Sequence, residues 1–187
     1  RLAWGLRRRC IELGVRVFER TPIRSCTAHG SEVTAIARSG VVHAARVALA
    51  TNAYPPLLRR LSSYVVPVYD YVLVTEPLTD AQWASVGWRG REGISDAGNQ
   101  FHYYRPTEDG RILWGGYDAV YHYGNGFARE HEDSTESYER LAEHFLQTFP
   151  QLADVRFSHA WGGAIDTCSR FSAFWGTAHR GKTAYVA

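Results

Sequence analysis

The sequence lacks methionine altogether and has only three cysteines, Cys10, Cys26 and Cys168, in 187 residues. An odd number of widely spaced cysteines fits neither a disulfide framework nor the paired spacing of a structural zinc site. We therefore expect all three thiols to be reduced. Because even an initiator methionine is missing, we also expect both termini to be cuts in a longer chain.

A large excess of charge of one sign is absent as well. Lys and Arg total 21 against 19 Asp and Glu, which leaves a formal net charge of +2. This excess is too small for a nucleic-acid-binding surface, so that class of partner is excluded. No apolar run approaches the ~20 residues of a membrane span, and residues 1–5 lack the apolar stretch of a signal peptide. These absences predict a folded cytoplasmic protein.

Aromatic side chains, in contrast, are abundant. They form 13% of the chain, and many lie on strand-like stretches in its middle. A core of this size needs fewer, so we expect some of them to line a cavity. Four histidines lie in the same part of the chain, but their spacing has no His-x-x-x-His pattern, and no metal site is expected: His102, His122, His131 and His144.

The first part of the chain has the pattern of an α/β layer. Apolar residues at helical spacing predict an amphipathic helix over residues 2–13, and Gly14 stops it. Alternation with a period of two then predicts strands over residues 15–19, 32–37 and 41–50, the last two joined as a hairpin. The third strand reads as buried and ends at Thr51.

The middle of the chain predicts a sheet with a helix beside it. A β-prone run covers residues 64–76, and strands over 101–105 and 111–116 flank an Asp109-Gly110 turn. Ser134 is a good cap for a helix over 135–149, whose apolar stripe is Tyr138, Leu141, Phe145, Leu146 and Phe149. Short helices at 56–62 and 81–86 and strands at 155–166 and 183–187 complete the prediction.

Three stretches, in this order and spacing, carry a resemblance to a known family. The first combines Gly14–Ile23 with Val47–Ala53, which contains an Ala-Thr-Asn sequence at a strand end. The second is the hairpin Tyr103–Gly116, and the third is Ala160–Gly163. Together they resemble flavin-dependent amine and amino-acid oxidases of the D-amino-acid oxidase and glycine oxidase family.

The resemblance implies a fold and a division of the chain. Residues 1–55 would be part of an FAD-binding domain, residues 56–166 a substrate-binding domain, and residues 167–187 a return toward the FAD-binding domain. The implied fold class is α/β, with α+β character in the substrate part. A fragment of an FAD-binding layer would pack on a mixed, mainly antiparallel sheet covered by a helix.

The resemblance also implies the residues that contact FAD. Ile23 would meet the adenine end through its backbone, and a strand end would meet the flavin dinucleotide, while a Trp-x-Gly turn would lie beside the isoalloxazine. The cofactor residues are Ile23, Ala50, Thr51, Asn52, Trp161, Gly162 and Gly163. The last three also fit a strand with a bulge. Because the sequence has no Gly-x-Gly-x-x-Gly turn to hold the pyrophosphate, we expect this segment alone not to retain FAD.

Substrate contacts follow from the hairpin. Period-two alternation places Tyr103 and Arg105 on one face of the strand and His102 and Tyr104 on the other. By resemblance, Tyr103 faces the substrate, with Arg105 beside it. The alternative is an ordinary sheet tyrosine whose hydroxyl is in water.

Substrate charge is the point where this sequence departs from the amino-acid oxidases. Those members follow the Trp-x-Gly turn with an arginine that forks onto a carboxylate, and here Ile165 occupies that place. Asp166 comes next, and an acid beside the cavity would attract a cationic amine, as in the γ-glutamylputrescine oxidoreductase branch. Asp166 is equally explained as a turn or cap residue that pairs with Arg170.

These expectations together predict FAD-dependent oxidation of a primary or secondary amine, with hydride transfer to the flavin and an imine product. The partners would be a small amine and the remainder of the same chain. Two alternatives stay open. One is a non-enzymatic module that binds a ligand in an aromatic pocket, and the other is a flavin dehydrogenase with a protein acceptor.

Overall fold

A computed structural model describes residues 2–167 and 172–186 of the chain, so Cys168 and Arg170 lie outside the described residues. The contacts divide the chain into two units. The first comprises the chain up to Leu49 together with Trp175–Tyr185, and the second comprises Ala50–Phe174 and Val186. Cys10 and Cys26 are free thiols, as expected.

The helices are α1 (Leu2–Glu12), α2 (Asp80–Val86) and α3 (Thr135–Thr148). The strands are β1 (Ile23–His29), β2 (Glu32–Ala37), β3 (Gly40–Ala44), β4 (Val47–Leu49), β5 (Val66–Thr75), β6 (Ile94–Ser95), β7 (His102–Pro106), β8 (Ile112–Gly116), β9 (Val120–Tyr121), β10 (Phe157–Thr167), β11 (Trp175–Ala178) and β12 (Thr183–Val186). Short 3-10 turns cover residues 59–63, 129–132, 150–152 and 179–181. No described helix is long and apolar enough to cross a bilayer.

The first unit contains the predicted helix and two three-stranded sheets. Helix α1 ends where Gly14 adopts a φ of +86°, and the Val15 amide donates to the Cys10 carbonyl to close the last turn. One sheet is the antiparallel series β1-β2-β3, and the other has the order β11-β12-β4. Within the second sheet β12 runs parallel to β4, with Thr183 opposite Val47.

Two strand predictions in this unit are wrong. Residues 15–18 form no regular secondary structure and Glu19 lies in a turn, because alternation does not by itself supply the hydrogen-bond partner that a strand needs. The predicted strand 41–50 is two strands, β3 and β4, which belong to different sheets and separate at Ala45-Arg46. Strand β1 begins at Ile23 and was not predicted, since its residues alternate weakly.

The second unit is built on a six-stranded antiparallel sheet of order β10-β5-β8-β7-β6, with β9 also paired to β5. The predicted β-prone run forms β5, and the predicted hairpin forms β7 and β8. In the hairpin turn, Gly110 adopts a φ of +78°, and the Thr107 amide donates to the Arg111 carbonyl. The predicted fold class, α/β with a mainly antiparallel sheet and a covering helix, is confirmed.

Helix α3 covers one face of this sheet. The Ser134 hydroxyl caps the helix by accepting a hydrogen bond from the Ser137 amide at 3.3 Å. Leu141, Phe145 and Phe149 of the predicted stripe are buried, whereas Leu146 is 40% exposed because it lies at the edge of the stripe. The sheet residues that pack under the helix include Tyr69, Tyr71, Leu73, Ile112 and Trp114.

Alternation along the strands sends the other set of side chains to the opposite face of the sheet, which we call the far face. It carries Asp70, Val72, Tyr103, Gly115, Trp161, Gly163 and Ile165. The far face contains most of the residues in the substrate part that the sequence singled out.

Candidate functional site

A row of paired residues crosses four strands of the far face. Trp161 lies opposite Val72, Val72 lies opposite Gly115, and Gly115 lies opposite Tyr103. Directly paired residues of antiparallel strands point to the same side of the sheet. The structure therefore places Tyr103 and Trp161 on one face, at the two ends of one row.

Gly115 gives the Tyr103 side chain room to cross the sheet. A Cβ atom at Gly115 would lie 2.8 Å from the Tyr103 hydroxyl oxygen, so the phenol ring occupies the space that a side chain would need. In this position the hydroxyl donates a 2.7 Å hydrogen bond to Oδ2 of Asp70. Any residue larger than glycine at position 115 would displace the ring.

Asp70 is a functional candidate that the sequence reasoning missed. Its Oδ1 accepts a hydrogen bond from the Tyr71 amide at 2.9 Å. Burial raises the pKa of the Asp70 carboxyl, and hydrogen bonds from Tyr103 and from the backbone of Tyr71 and Gly116 partly oppose the rise. The signal for it was a single acid inside the apolar run of β5.

Tyr103 is held in its protonated form. Burial raises the pKa of its phenol well above the ordinary value, and the bond to the Asp70 carboxylate raises it further. The hydroxyl is therefore a donor at neutral pH, and its proton points at Asp70.

The two glycines of the predicted turn serve opposite faces. A Cβ at Gly162 would lie 2.5 Å from the Tyr71 ring and 2.8 Å from the Glu132 carbonyl oxygen, which places this glycine against the α3 side. At Gly163 no atom lies within 4 Å of the same position, so there is free space beside Asp70, its partner in the ladder. The predicted turn or bulge is absent, since the pairing of β10 with β5 is regular through Trp161–Gly163.

Asp166 lies outside this cluster, whereas Arg105 lies at its border, because Arg105 and Tyr103 line the same cavity. Asp166 pairs with Pro67 and shares the α3 side of β10 with Gly162, and burial raises the pKa of its carboxyl. The structure does not bring it to the face of Trp161. Arg105 is on the far face, one row beyond Tyr103, where its exposed side chain borders a shallow cavity of about 320 Å³.

Among the residues predicted to contact FAD, Ile23 opens β1 in the first unit, whereas Ala50, Thr51 and Asn52 directly follow β4. Asn52 adopts a left-handed φ of 51°, and its side-chain oxygen accepts from the Ala53 amide at 2.8 Å. The strand end is thus a tight turn of small and polar residues, which lets a ligand approach the backbone.

Two histidine clusters lie on the α3 side. His122 and His131 stack with ring centroids 3.4 Å apart, and burial together with His131 lowers the pKa of His122. His102 Nδ1 donates a hydrogen bond to the Asp96 carboxylate at 2.5 Å, and its Nε2 is hydrogen-bonded to Nδ1 of His144 at 2.9 Å. Among residues 2–167 and 172–186, no three His, Cys, Asp or Glu side chains are arranged to hold a metal ion.

Comparison with known proteins places this chain in a family. The profile of the family described as FAD dependent oxidoreductase matches residues 1–187. The chain is 29% identical over 170 residues to the probable oxidoreductase OrdL of Haemophilus influenzae, covering 87% of this chain and 36% of that protein. It is 31% identical over 169 residues to the gamma-glutamylputrescine oxidoreductase of Escherichia coli K12, covering 86% and 36%.

Solved structures share the fold. The glycine oxidase of Geobacillus kaustophilus matches with a TM-score of 0.72 at 15% identity, over 92% of this chain and 44% of that one. The iminodiacetate oxidase of a Chelativorans species matches with a TM-score of 0.75 at 16% identity, over 99% and 47%.

This chain belongs to the FAD dependent oxidoreductase family. It spans about 36% of the length of the two relatives named above. Membership favours the enzyme over the non-enzymatic binding module, since the family is defined by redox chemistry on a flavin.

The residues present fit FAD, the cofactor of this family. A flat ring system needs an apolar surface free of obstructing side chains, and Trp161 and Ile165 are 44% and 46% exposed beside the open space at Gly163. The left-handed turn at Asn52 supplies a second point where the backbone can be approached closely.

Proposed function

We propose that the full protein containing this segment uses FAD to oxidise a primary or secondary amine to an imine. The observation that carries the proposal is the row on the far face. Tyr103 and Trp161 stand at its two ends, the Tyr103 ring fills the space over Gly115, and Gly163 leaves open space beside Asp70. Bound FAD would supply the chemistry by accepting a hydride from the carbon next to nitrogen.

We keep the predicted cofactor contacts as proposals, residue by residue. We assign Ile23 to the adenine end and Ala50, Thr51 and Asn52 to the dinucleotide. Trp161 and Gly163 would lie beside the flavin ring. Gly162 would contribute only through its backbone, which is accessible because β10 is an edge strand of its sheet.

The chain's own contribution is to bind and orient the amine. Tyr103 would limit the position of the substrate, since its ring is fixed by Gly115 beneath and by Asp70 at the hydroxyl. Arg105 would lie at the outer rim, where its charge reaches substituents far from the reacting carbon. We leave Asp166 out of the site because it lies on the α3 side.

We retain the division into residues 1–55, 56–166 and 167–187 as the proposed contribution of this chain to an FAD-binding and a substrate-binding domain. Its proposed partners are a small amine and the remainder of its own chain, in the cytoplasm. We further propose that residues 1–187 alone do not retain FAD, because the sequence has no glycine-rich turn for the pyrophosphate.

The test is a visible absorption spectrum of the full-length protein purified with FAD. We expect flavin bands that bleach when γ-glutamylputrescine or another amine is added without oxygen. Readmission of oxygen separates an oxidase, whose bands return at once, from a dehydrogenase, whose bands return only with an added acceptor. A full-length protein that binds no flavin, or whose bound flavin no amine reduces, would contradict the proposal.

A further inference from the structure

Asp70 is the charged side chain of an otherwise apolar strand, β5. A carboxylate at such a position costs free energy unless its oxygens are well satisfied. Here three donors satisfy it: the Tyr103 hydroxyl and the backbone amides of Tyr71 and Gly116. All three are uncharged, so the hydrogen bonds stabilise the carboxylate without neutralising it.

No basic side chain forms an ion pair with Asp70 in residues 2–167 and 172–186. The contrast is Asp118, a nearby acid that also raises the pKa of Asp70. Arg140 donates to both oxygens of Asp118, at 2.6 and 2.8 Å, and so neutralises it. Asp70 therefore accepts as many hydrogen bonds as a structural aspartate would, but among the described residues no basic side chain balances its charge.

The surroundings of Asp70 suit a cation. On one side the Tyr103 ring closes the approach, and on the other side Gly163 leaves open space. Trp161 lies one row away on the same face, with its ring nearly half exposed. A carboxylate next to an accessible indole is the combination that recognises ammonium groups, through charge and through the aromatic face.

We propose that Asp70 determines substrate specificity by binding the ammonium group of a cationic amine in the space beside Gly163. This assignment rests on the proposed function and narrows it. The preferred substrates are amines that bind as ammonium ions and carry no carboxylate at the reacting end, because a carboxylate in this space would meet Asp70 and be repelled. The bound ammonium would pass one proton to the Asp70 carboxylate, and the neutral amine would then lose the hydride from the adjacent carbon to bound FAD.

The experiment compares two aspartates on opposite sides of the sheet. Asp70→Asn removes the charge and keeps the shape, and Asp166→Asn makes the same change on the neighbouring strand, at a carboxyl whose pKa burial also raises. Both are made in the full-length protein with FAD. The readout is kcat/KM for an amine whose reacting end carries no carboxylate, such as γ-glutamylputrescine, and for sarcosine, whose carboxylate is one carbon away from the reacting nitrogen.

We expect Asp70→Asn to lower kcat/KM for the cationic amine by about 10- to 100-fold, the usual effect of losing a hydrogen bond to a charged group. The change should be mainly in KM, and the ratio of the two substrates should move toward sarcosine. Asp166→Asn should leave the ratio within about twofold. An equal loss of kcat/KM toward both substrates would mean that Asp70 only positions Tyr103, and it would overturn the proposal. No loss toward either substrate would overturn it as well.

A second measurement uses the unaltered protein. Butyltrimethylammonium contains no free amine, so it cannot be oxidised to an imine. It still presents a positively charged nitrogen, as an ammonium substrate does. We expect it to compete with the amine substrate, whereas its uncharged analogue 2,2-dimethylhexane and the anion hexanoate do not. Equal inhibition by hexanoate would overturn the proposal. A protein whose flavin no amine reduces would instead contradict the proposed function itself.

Discussion

The two faces of the six-stranded sheet are formed by the same strands but differ in burial and in proposed role. Trp114 on the α3 side is fully buried, whereas Trp161 on the far face is 44% exposed. In β5, Tyr71 points into the core and its neighbour Asp70 points to the far face. In β10, Gly162 makes room for a core tyrosine and Gly163 leaves space open.

This difference teaches that consecutive residues of one strand have different roles. A residue whose side chain points to the α3 side contributes to stability, and its neighbour, which points to the far face, contributes to function. A substitution on the α3 side should act on the free energy of unfolding, and the same substitution on the far face should act on catalysis. Each of the following pairs tests that separation.

The largest expected effect is on stability. Phe145→Ala removes a fully buried ring from the α3 side and should lower the free energy of unfolding by about 3–5 kcal/mol. Trp161→Ala removes a half-exposed ring of similar size and should cost much less, while lowering kcat/KM. Denaturant unfolding of both full-length variants measures this. Equal destabilisation would remove the distinction between the faces.

The adjacent glycines form a sharper pair. Gly162→Ala places a methyl group against the Tyr71 ring and should destabilise the protein by about 1–3 kcal/mol through overpacking. Gly163→Ala meets open space and should leave the melting temperature nearly unchanged, but it narrows the proposed amine site and should raise KM. If Gly163→Ala unfolds the protein and Gly162→Ala does not, the assignment of faces is reversed.

Two tyrosines provide a smaller, matched comparison. The Tyr71 hydroxyl donates to the His131 carbonyl at 2.8 Å, and the Tyr103 hydroxyl donates to Asp70. Each Tyr→Phe change should cost about 0.5–1.5 kcal/mol of stability. Only Tyr103→Phe should also change kcat/KM, which steady-state kinetics of the two variants would reveal. An identical kinetic change in Tyr71→Phe would argue against a special role for Tyr103.

The smallest effect concerns pH, where the two faces have opposite signs. The folded state lowers the pKa of His122, so below pH ~6.5 the unfolded chain takes up this proton first and stability falls. The folded state raises the pKa of Asp70, so this group's contribution to stability falls as pH rises above ~4.

The measurement is the unfolding free energy as a function of pH. His122→Phe keeps a ring to stack on His131 and should flatten the acid loss, and Asp70→Asn should flatten the opposite slope. His29→Phe alters an exposed histidine and is the control. A control that flattens the curve as much as His122→Phe would contradict the assignment.

Much of the second unit could be predicted because its signals are local. The β-branched run of β5, the Asp109-Gly110 turn and the Ser134 cap each depend on a few adjacent residues, and all three are found. The alternation of Tyr103 and Tyr104 was also correct. In the first unit, the prediction of a strand over residues 15–19 was wrong, because strand formation depends on a partner elsewhere in the chain.

The candidate site was only partly predictable. Asp70 joins it through the register of β5 with β10 and through a tyrosine that reaches across Gly115, and neither is written in a local pattern. Asp166, however, could have been separated from Trp161 by counting. The two differ by an odd number of positions along one strand, so they face opposite sides.

The parallel pairing of β12 with β4 has a consequence for how the protein is made. During synthesis β4 precedes its partner strand β12, which begins at Thr183 and follows only after Ala50–Phe174 of the second unit have been translated. The second unit can therefore fold while the edge of β4 that will pair with β12 is still unpaired. Of the two units, the one whose synthesis begins earlier is completed later, and a nascent chain that stalls before β12 exposes that edge to other chains.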